Sequence, residues 1–318
     1  MSPAPRVVCL GEALVDLIAT DGDGRRWRAA PGGAPYNAAV AAARLGAPTT
    51  FLGVLSGDRF GHLLRQHLDA SGVDHAQCPS TAEPTTLALI HGPRPDDDND
   101  FTFHVAGTST VSARANDLHL PPDLGVLHVS GSVSLVLEPV ASRLEGLLAA
   151  AQHRAVLQVD ANPRPRLISR QKYLRRFGHW LGMADIVKLS VADLEWMSPG
   201  ADAVATAQLW IRPDPDGEKH TPAVVVLTRG AAGAAVVHPA GVVEVEAPTV
   251  DVVDTIGAGD AFAGALLAAY ASHEVTSRAA LDALDVRWWR MAASLAGRAA
   301  SVACTRPGAD PARRSELS

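Results

Sequence analysis

Lysine is scarce in this sequence. Of 28 basic residues only Lys172, Lys188 and Lys219 are lysine, and the rest are arginine. No lysine follows a glycine and precedes Ser or Thr, so a Walker A phosphate loop is excluded. Cysteine is scarce as well. Cys9, Cys78 and Cys304 are widely spaced, odd in number and without a CxxC pair, which fits a reducing compartment and neither a disulfide framework nor a zinc site. Cys9 and Cys304 lie in apolar stretches and read as small core residues. No apolar run approaches the roughly 20 residues of a bilayer-spanning helix. Met1 to Arg6 lacks the basic-then-apolar plan of a signal peptide, so a cytoplasmic protein is expected. The twelve histidines form no HxxxH or HExxH arrangement, which argues against a histidine metal site. Positive charge is in deficit, 28 basic against 34 acidic residues for a net −6, so neither nucleic acid nor an anionic membrane is favoured as a partner. No internal repeat marks a solenoid.

What is present is a folding composition. The 318 residues are 47% hydrophobic and 19% charged, enough for one large α/β domain and too apolar for a disordered scaffold. Short β-branched runs alternate with Ala/Leu-rich helical segments, the pattern of a doubly wound α/β fold with a mainly parallel sheet. Strands are expected over Val7 to Ile18, Thr49 to Leu55, Val126 to Ser130, Val156 to Asp160, Asp185 to Leu189 and Val224 to Thr228. Helices are expected over Pro35 to Leu45, Phe60 to Ala70, Ala258 to Tyr270 and Arg278 to Ala303. A hairpin turns at Pro239 to Gly241. Between about Ala82 and Ala106, two strand-like runs, Thr85 to His91 and Phe101 to Val105, flank the acidic stretch Asp96 to Asp100, which reads as a solvated tip on a small β flap.

Three stretches could carry chemistry. Asp254-Thr255-Ile256-Gly257-Ala258-Gly259-Asp260 feeds directly into an apolar helix. The unpaired N–H groups at such a helix start form an anion cradle, and Asp260 falls beside it in the first turn. An ordinary N-cap is the plainer reading of the Gly-x-Gly-Asp part alone. Gly32-Gly33-Ala34-Pro35-Tyr36-Asn37 leads into an alanine-rich helix and could present N–H groups and an amide to a polyhydroxy ligand; a tight structural turn is an even alternative. It does not match the G-x-G-x-x-G dinucleotide fingerprint. Asp16 stands in an apolar strand and needs a partner there, a sugar or an arginine.

On these residues the chain resembles the ribokinase (PfkB) family of sugar kinases, most closely its bacterial fructokinase branch, from Gly11-Glu12 to Pro307-Gly308-Ala309. Asp160-Ala161-Asn162-Pro163-Arg164 is similar to the family's D-x-N-x-R segment, and Thr228-Arg229-Gly230 to its nucleotide-side turn. The resemblance implies one ribokinase-like domain over residues 1–318, with a β lid mainly within 82–106 and a contribution from 12–30. It implies a phosphotransferase with an alcohol acceptor, most like a fructokinase, using ATP and Mg²⁺ and activated by potassium. Asp260 would be the base for the sugar hydroxyl, with Gly257, Ala258 and Gly259 as the anion hole. Asp16, Gly32, Gly33, Asn37 and Arg164 would hold the sugar. Ser190, Thr228, Gly230 and Gly259 would line the ATP site. Asp254, Ile256, Ala303, Arg306 and Gly308 match the monovalent-cation positions, and Asp193 the residue that orders the Mg²⁺ waters. A homodimer through the lid is implied too.

The chain departs from the family at two places. Ser190 and Asp193 stand where members often have Asn and Glu, and Gly107-Thr108-Ser109-Thr110 stands where fructokinases commonly carry an Ala-Asp pair. D-fructose is the acceptor most like the pattern; ribose, 2-keto-3-deoxygluconate or a nucleoside are alternatives, and a non-catalytic sugar-binding relative is the alternative of another class. Phosphoryl transfer asks mainly for positioning and charge stabilisation, which a helix N-terminus and one carboxylate supply without a lysine. Arg229 is the expected side-chain cation near the phosphates, unless it forms a surface salt bridge.

Overall fold

The computed structural model describes residues 6–21, 24–91, 101–217 and 219–317. Eight strands build the main sheet: β1 (Arg6–Leu10), β4 (Thr49–Leu52), β9 (Leu124–Ser130), β10 (Val156–Asp160), β11 (Ile186–Ser190), β12 (Val224–Thr228), β13 (Ala234–His238) and β14 (Gly241–Val245). Their order is β14-β13-β12-β11-β10-β9-β1-β4. All pair in parallel except the β13–β14 hairpin, which adds two antiparallel strands at one edge.

The central strands are nearly continuous apolar runs because both faces are covered. Val7 and Cys9 point into one layer, with α1 (Ala34–Arg44), α2 (Arg59–Ala70), α7 (Ala258–Ser272), α8 (Arg278–Asp282) and α9 (Val286–Cys304). Val8 and Leu10 point into the other, with α3 (Val140–Ala151), α4 (Arg170–Leu181), α5 (Val191–Met197) and α6 (Ala203–Trp210). This is the doubly wound arrangement expected from the alternation of strands and helices.

A second, four-stranded sheet has the order β3-β2-β7-β8, from β2 (Leu14–Ala19), β3 (Trp27–Gly32), β7 (Thr86–Ile90) and β8 (Phe101–His104). Two short strands, β5 (Leu55–Ser56) and β6 (Ser80–Thr81), pair with each other. The flap expected between 82 and 106 supplies β7 and β8 of this lid sheet, and the region 12–30 supplies β2 and most of β3. The run Val7 to Ile18 is two strands, because the chain breaks at 11–13 and crosses from the main sheet to the lid. Thr49 to Leu55 breaks likewise at Gly53, where a Cβ would lie 2.3 Å from the Gly11 carbonyl oxygen. Arg278 to Ala303 is also split, since Asp285 accepts the Trp288 amide at 2.8 Å and starts α9 afresh. Asp96 to Asp100 lie outside the described residues.

Asp58 pins the lid to the body. Its carboxylate caps α2 through the Gly61 amide (2.7 Å) and accepts both the Thr85 amide (2.7 Å) and hydroxyl (2.6 Å). Nearby, the hydroxyls of Thr108 and Thr110 each lie 2.6 Å from that of Thr86, so the Gly107 to Thr110 departure braces the lid's base.

The two alanine-rich helices α1 and α7 approach closely at Gly264. A Cβ there would lie 2.4 Å from Ala41 Cβ and 2.6 Å from the Ala38 carbonyl oxygen. In an open helix Gly→Ala stabilises by about 1 kcal/mol. Here the sign reverses: Gly264→Ala is expected to destabilise by about 1–3 kcal/mol through overpacking, read as a lowered midpoint in thermal or urea unfolding. An unchanged or raised midpoint would contradict this contact.

Candidate active site

A cleft of about 670 Å³ opens at the C-terminal ends of the parallel strands, with lid residues Asp16, Phe101 and Phe103 on its wall. This is where open α/β sheets place ligands. Two helix N-termini meet in it. Gly33 begins α1 at φ 108°, where a Cβ would sit 2.7 Å from the Glu12 carbonyl oxygen, and Gly257 begins α7 at φ 75°. Both positions need glycine. Asn37, one turn into α1, donates from Nδ2 to Asp260 Oδ2 in the first turn of α7 at 2.9 Å, joining residues 223 positions apart.

Of the residues expected to hold the sugar, Asp16, Gly33, Asn37 and Arg164 line the cleft together with Asp260, and Gly32 does not. The Asp16 carboxylate lies against Gly32, whose Cβ would be 2.3 Å from Oδ2. Burial pushes Asp16 up to about 7, aided by the Asp260 charge and opposed by Arg164. Burial likewise raises Asp260 to about 6, while the Asn37 hydrogen bond and Lys188 pull it down. The helix start does not hold Asp260 in the ordinary carboxylate range: desolvation exceeds the favourable contacts. Arg164 stacks its guanidinium 5.8 Å from the centre of the Phe101 ring, linking the lid to the floor.

Of the residues expected at the ATP site, Ser190, Thr228, Gly230 and Gly259 line the cleft, as do Asp193 and, from α9, Gly297 and Ala300. Ser190 and Asp193 form a reciprocal cap on α5. The Ser190 amide donates to Asp193 Oδ2 at 2.7 Å, and the Asp193 amide donates to Ser190 Oγ at 3.0 Å. The shorter acid thus folds back on its own helix while keeping its place on the wall. Arg229 does not line the cleft but pairs with Glu244 at 2.8 Å, forming the surface salt bridge expected as its alternative. Cys304 is a half-buried wall residue, not a core one; Cys9 is fully buried.

Asp254 ties two loops together. Its Oδ1 accepts the Ile256 amide (2.9 Å) and its Oδ2 the Gly308 amide (2.7 Å). The Ala303 carbonyl accepts the Arg306 amide at 3.2 Å, and the Arg306 side chain pairs with Glu316. Of the five residues expected to hold a monovalent cation, only Ile256 lines the cleft.

Two functional candidates escaped the sequence reading. Lys188 on β11 reaches the cleft and pairs with Asp160 at 2.7 Å, so the site does hold a lysine. Cross-strand pairing of Asp160 with Lys188 was the available signal, given parallel neighbours β10 and β11. Glu12 is buried in the wall, accepting the Ser134 amide (3.0 Å) and hydroxyl (2.6 Å) and the Ser132 hydroxyl. In the cleft as a whole, Asp16, Asn37 and Asp260 can orient a polyhydroxy acceptor and take its proton, and the N–H groups at the start of α7 can neutralise an incoming phosphoryl group.

Comparisons with known proteins agree with this geometry. The family model "pfkB family carbohydrate kinase" matches residues 4–315. The fructokinase of Rhizobium leguminosarum bv. trifolii is 34% identical over 289 residues, spanning 88% of this chain and 84% of that one. The Klebsiella pneumoniae fructokinase is 32% identical over 315 residues, spanning 98% and 99%. Among solved structures, fructokinase with bound ATP from Xylella fastidiosa superposes with a TM-score of 0.85 at 28% identity, covering 98% of this chain and 96% of that one. The Vibrio cholerae O395 fructokinase in a fructose, ADP and calcium ion bound form gives 0.81 at 28% identity, covering 99% and 96%. The chain therefore belongs to the pfkB family of carbohydrate kinases and is a phosphotransferase acting on a sugar hydroxyl.

Proposed function

We propose that this kinase transfers the terminal phosphoryl group of ATP to a hydroxyl of D-fructose. The observation that carries the reading is the Asn37–Asp260 contact, which sets one carboxylate at the start of α7 facing Asp16 across the cleft. Fructose is favoured by the relatives, named fructokinases, and by the fructose and ADP bound in the Vibrio cholerae neighbour.

In this reading Asp16, Gly33 and Asn37 hold the sugar, Gly32 makes room for the Asp16 carboxylate, and Arg164 caps the sugar's reacting end. Asp260 takes the hydroxyl proton, while the N–H groups of Gly257, Ala258 and Gly259 receive the charge on the phosphoryl oxygens. The triphosphate runs past Ser190 and Gly259 towards Thr228 and Gly230, and adenosine fills the small-residue end by Gly297 and Ala300.

The donor set suits hard cations. Asp193 faces the cleft, where its carboxylate would order the waters of an Mg²⁺ carried by ATP. Held there, Mg²⁺ would neutralise phosphate charge. The Asp254 carboxylate, together with the backbone at Ile256, Ala303, Arg306 and Gly308, offers oxygen donors for potassium, a role supported by the potassium in a second Vibrio cholerae fructokinase structure. The free cysteines suit a reducing cytoplasm, and among the described residues no helix is long and apolar enough to cross a membrane. The half-buried Ile18 and Leu89 of the lid suit pairing with a second copy.

Three outcomes test this function. Asp260→Asn keeps size while removing basicity, so kcat is expected to fall about 10²–10⁴-fold with fructose KM changed far less. A folded variant with near-normal kcat would remove Asp260 as the base.

The pH profile follows from the raised carboxylate. The base works only when ionised, so kcat/KM is full at high pH and falls as pH drops through about 6. Asn37→Ala removes a contact that favours the carboxylate, which moves this inflection to higher pH. An inflection near 4 in both proteins would contradict the burial argument.

Potassium is tested by activity in KCl against a large organic cation at matched ionic strength. KCl is expected to raise the rate further, and identical curves would exclude the site.

A further inference from the structure

Beneath the anion cradle lies a charged pair to which the mechanism above gives no task. Lys188 and Asp160 are cross-strand neighbours near the ends of β11 and β10, with side chains 5% and 2% exposed. Their contact is 2.7 Å from Nζ to Oδ2. A Cβ added to Gly259 would lie 3.2 Å from Lys188 Nζ, so the ammonium touches the first turn of α7, where the phosphoryl oxygens are received. An ammonium carries three donors. Among the described residues only Asp160 hydrogen-bonds it, and Lys188 is part of the cleft wall.

Charge balance points the same way. Glu12, Asp16, Asp193, Glu246 and Asp260 line the cleft, against which Arg164 and Lys188 are its only cationic lining residues among those described. Arg164 is stacked on the lid, and Arg229 is engaged by Glu244. Burial works against the ammonium, but Asp160, with Asp193 and Asp260, holds Lys188 above its ordinary range. A buried, half-satisfied charge is costly unless a ligand completes it.

We infer that Lys188 Nζ is a catalytic residue that donates hydrogen bonds to the phosphoryl group in transfer, and that Asp160 is the positioning residue that aims it. The inference rests on the kinase reading and deepens it. In the step, the sugar oxygen bonds to the γ-phosphorus while the bond from that phosphorus to the β,γ-bridging oxygen breaks. The electron pair leaves with ADP, and the hydroxyl proton goes to Asp260. Lys188 gives up no proton; it stabilises charge on the moving oxygens beside the N–H groups of Gly257 to Gly259.

The test compares wild type, Lys188→Met, Lys188→Arg, Asp160→Asn and the double variant Lys188→Met/Asp160→Asn, which leaves no unpaired buried charge. Calorimetry measures ADP and a non-hydrolysable ATP analogue, a readout independent of which sugar is accepted. Lys188→Met and the double variant are expected to lose the preference for the analogue over ADP, with ADP and fructose affinities held. Their kcat falls about 10²–10³-fold, the usual cost of one transition-state donor. Lys188→Arg recovers part of the loss. Lys188 is faced by the buried His128 on β9 and by Asp160 on β10, Asp193 on α5 and Asp260 on α7. Asp160→Asn removes the largest of these supports, so a basic limb in kcat moves to lower pH. A folded double variant with unchanged analogue preference and kcat within a few-fold of wild type would overturn the inference. So would an equal loss of ADP, analogue and fructose binding, which marks a merely structural pair. A wild type inactive on fructose that still prefers the analogue through Lys188 would instead refute only the sugar assignment.

Discussion

The site depends on one contact between two helix starts, the amide of Asn37 against the carboxylate of Asp260. Neither residue could make it alone. α1 reaches the cleft because Gly33 turns the chain out of the lid strand β3, and α7 reaches it because Gly257 adopts a left-handed backbone. The helices then lie close enough for the amide to reach the acid because Gly264 removes a side chain from their crossing. Alanine dominates both packed faces for the same reason: small side chains bring backbones together, and backbone proximity sets the reach of the polar groups at the ends.

Around this contact the protein places acids where water is excluded. Asp16 and Asp260 both rise towards neutrality under burial, and Arg164 opposes the rise at each. Lys188 also opposes it at Asp260. Like charges in one cleft are tolerated because each carboxylate has a cation or a donor assigned to it. Glu12 shows the purely neutral solution, with two serine hydroxyls and a backbone amide on one carboxylate.

Local turns were legible before the structure. The glycines at 32–33 and 257–259 announce helix starts by their own stereochemistry, and Asp260 and Asn37 follow at fixed offsets from them. The main sheet was legible because buried parallel strands are short, continuous apolar runs. What escaped were partnerships set by register. A single lysine near the end of an apolar run reveals nothing until β10 is laid beside β11 and Asp160 becomes its neighbour. Strand β3 carries Pro31 and Gly32, which read as turn residues, yet it is an edge strand of the lid, where proline is admitted. Arg229 sat in the right segment, but Glu244 across the hairpin claimed it.

The shortage of lysine has a practical side. Lys172 on α4 and Lys219 in the loop after α6 are both exposed, and neither lines the cleft. Lys188 is sealed against Asp160. An amine-reactive support would therefore couple this protein through side chains outside the cleft, leaving the mouth of the site free for substrate to enter.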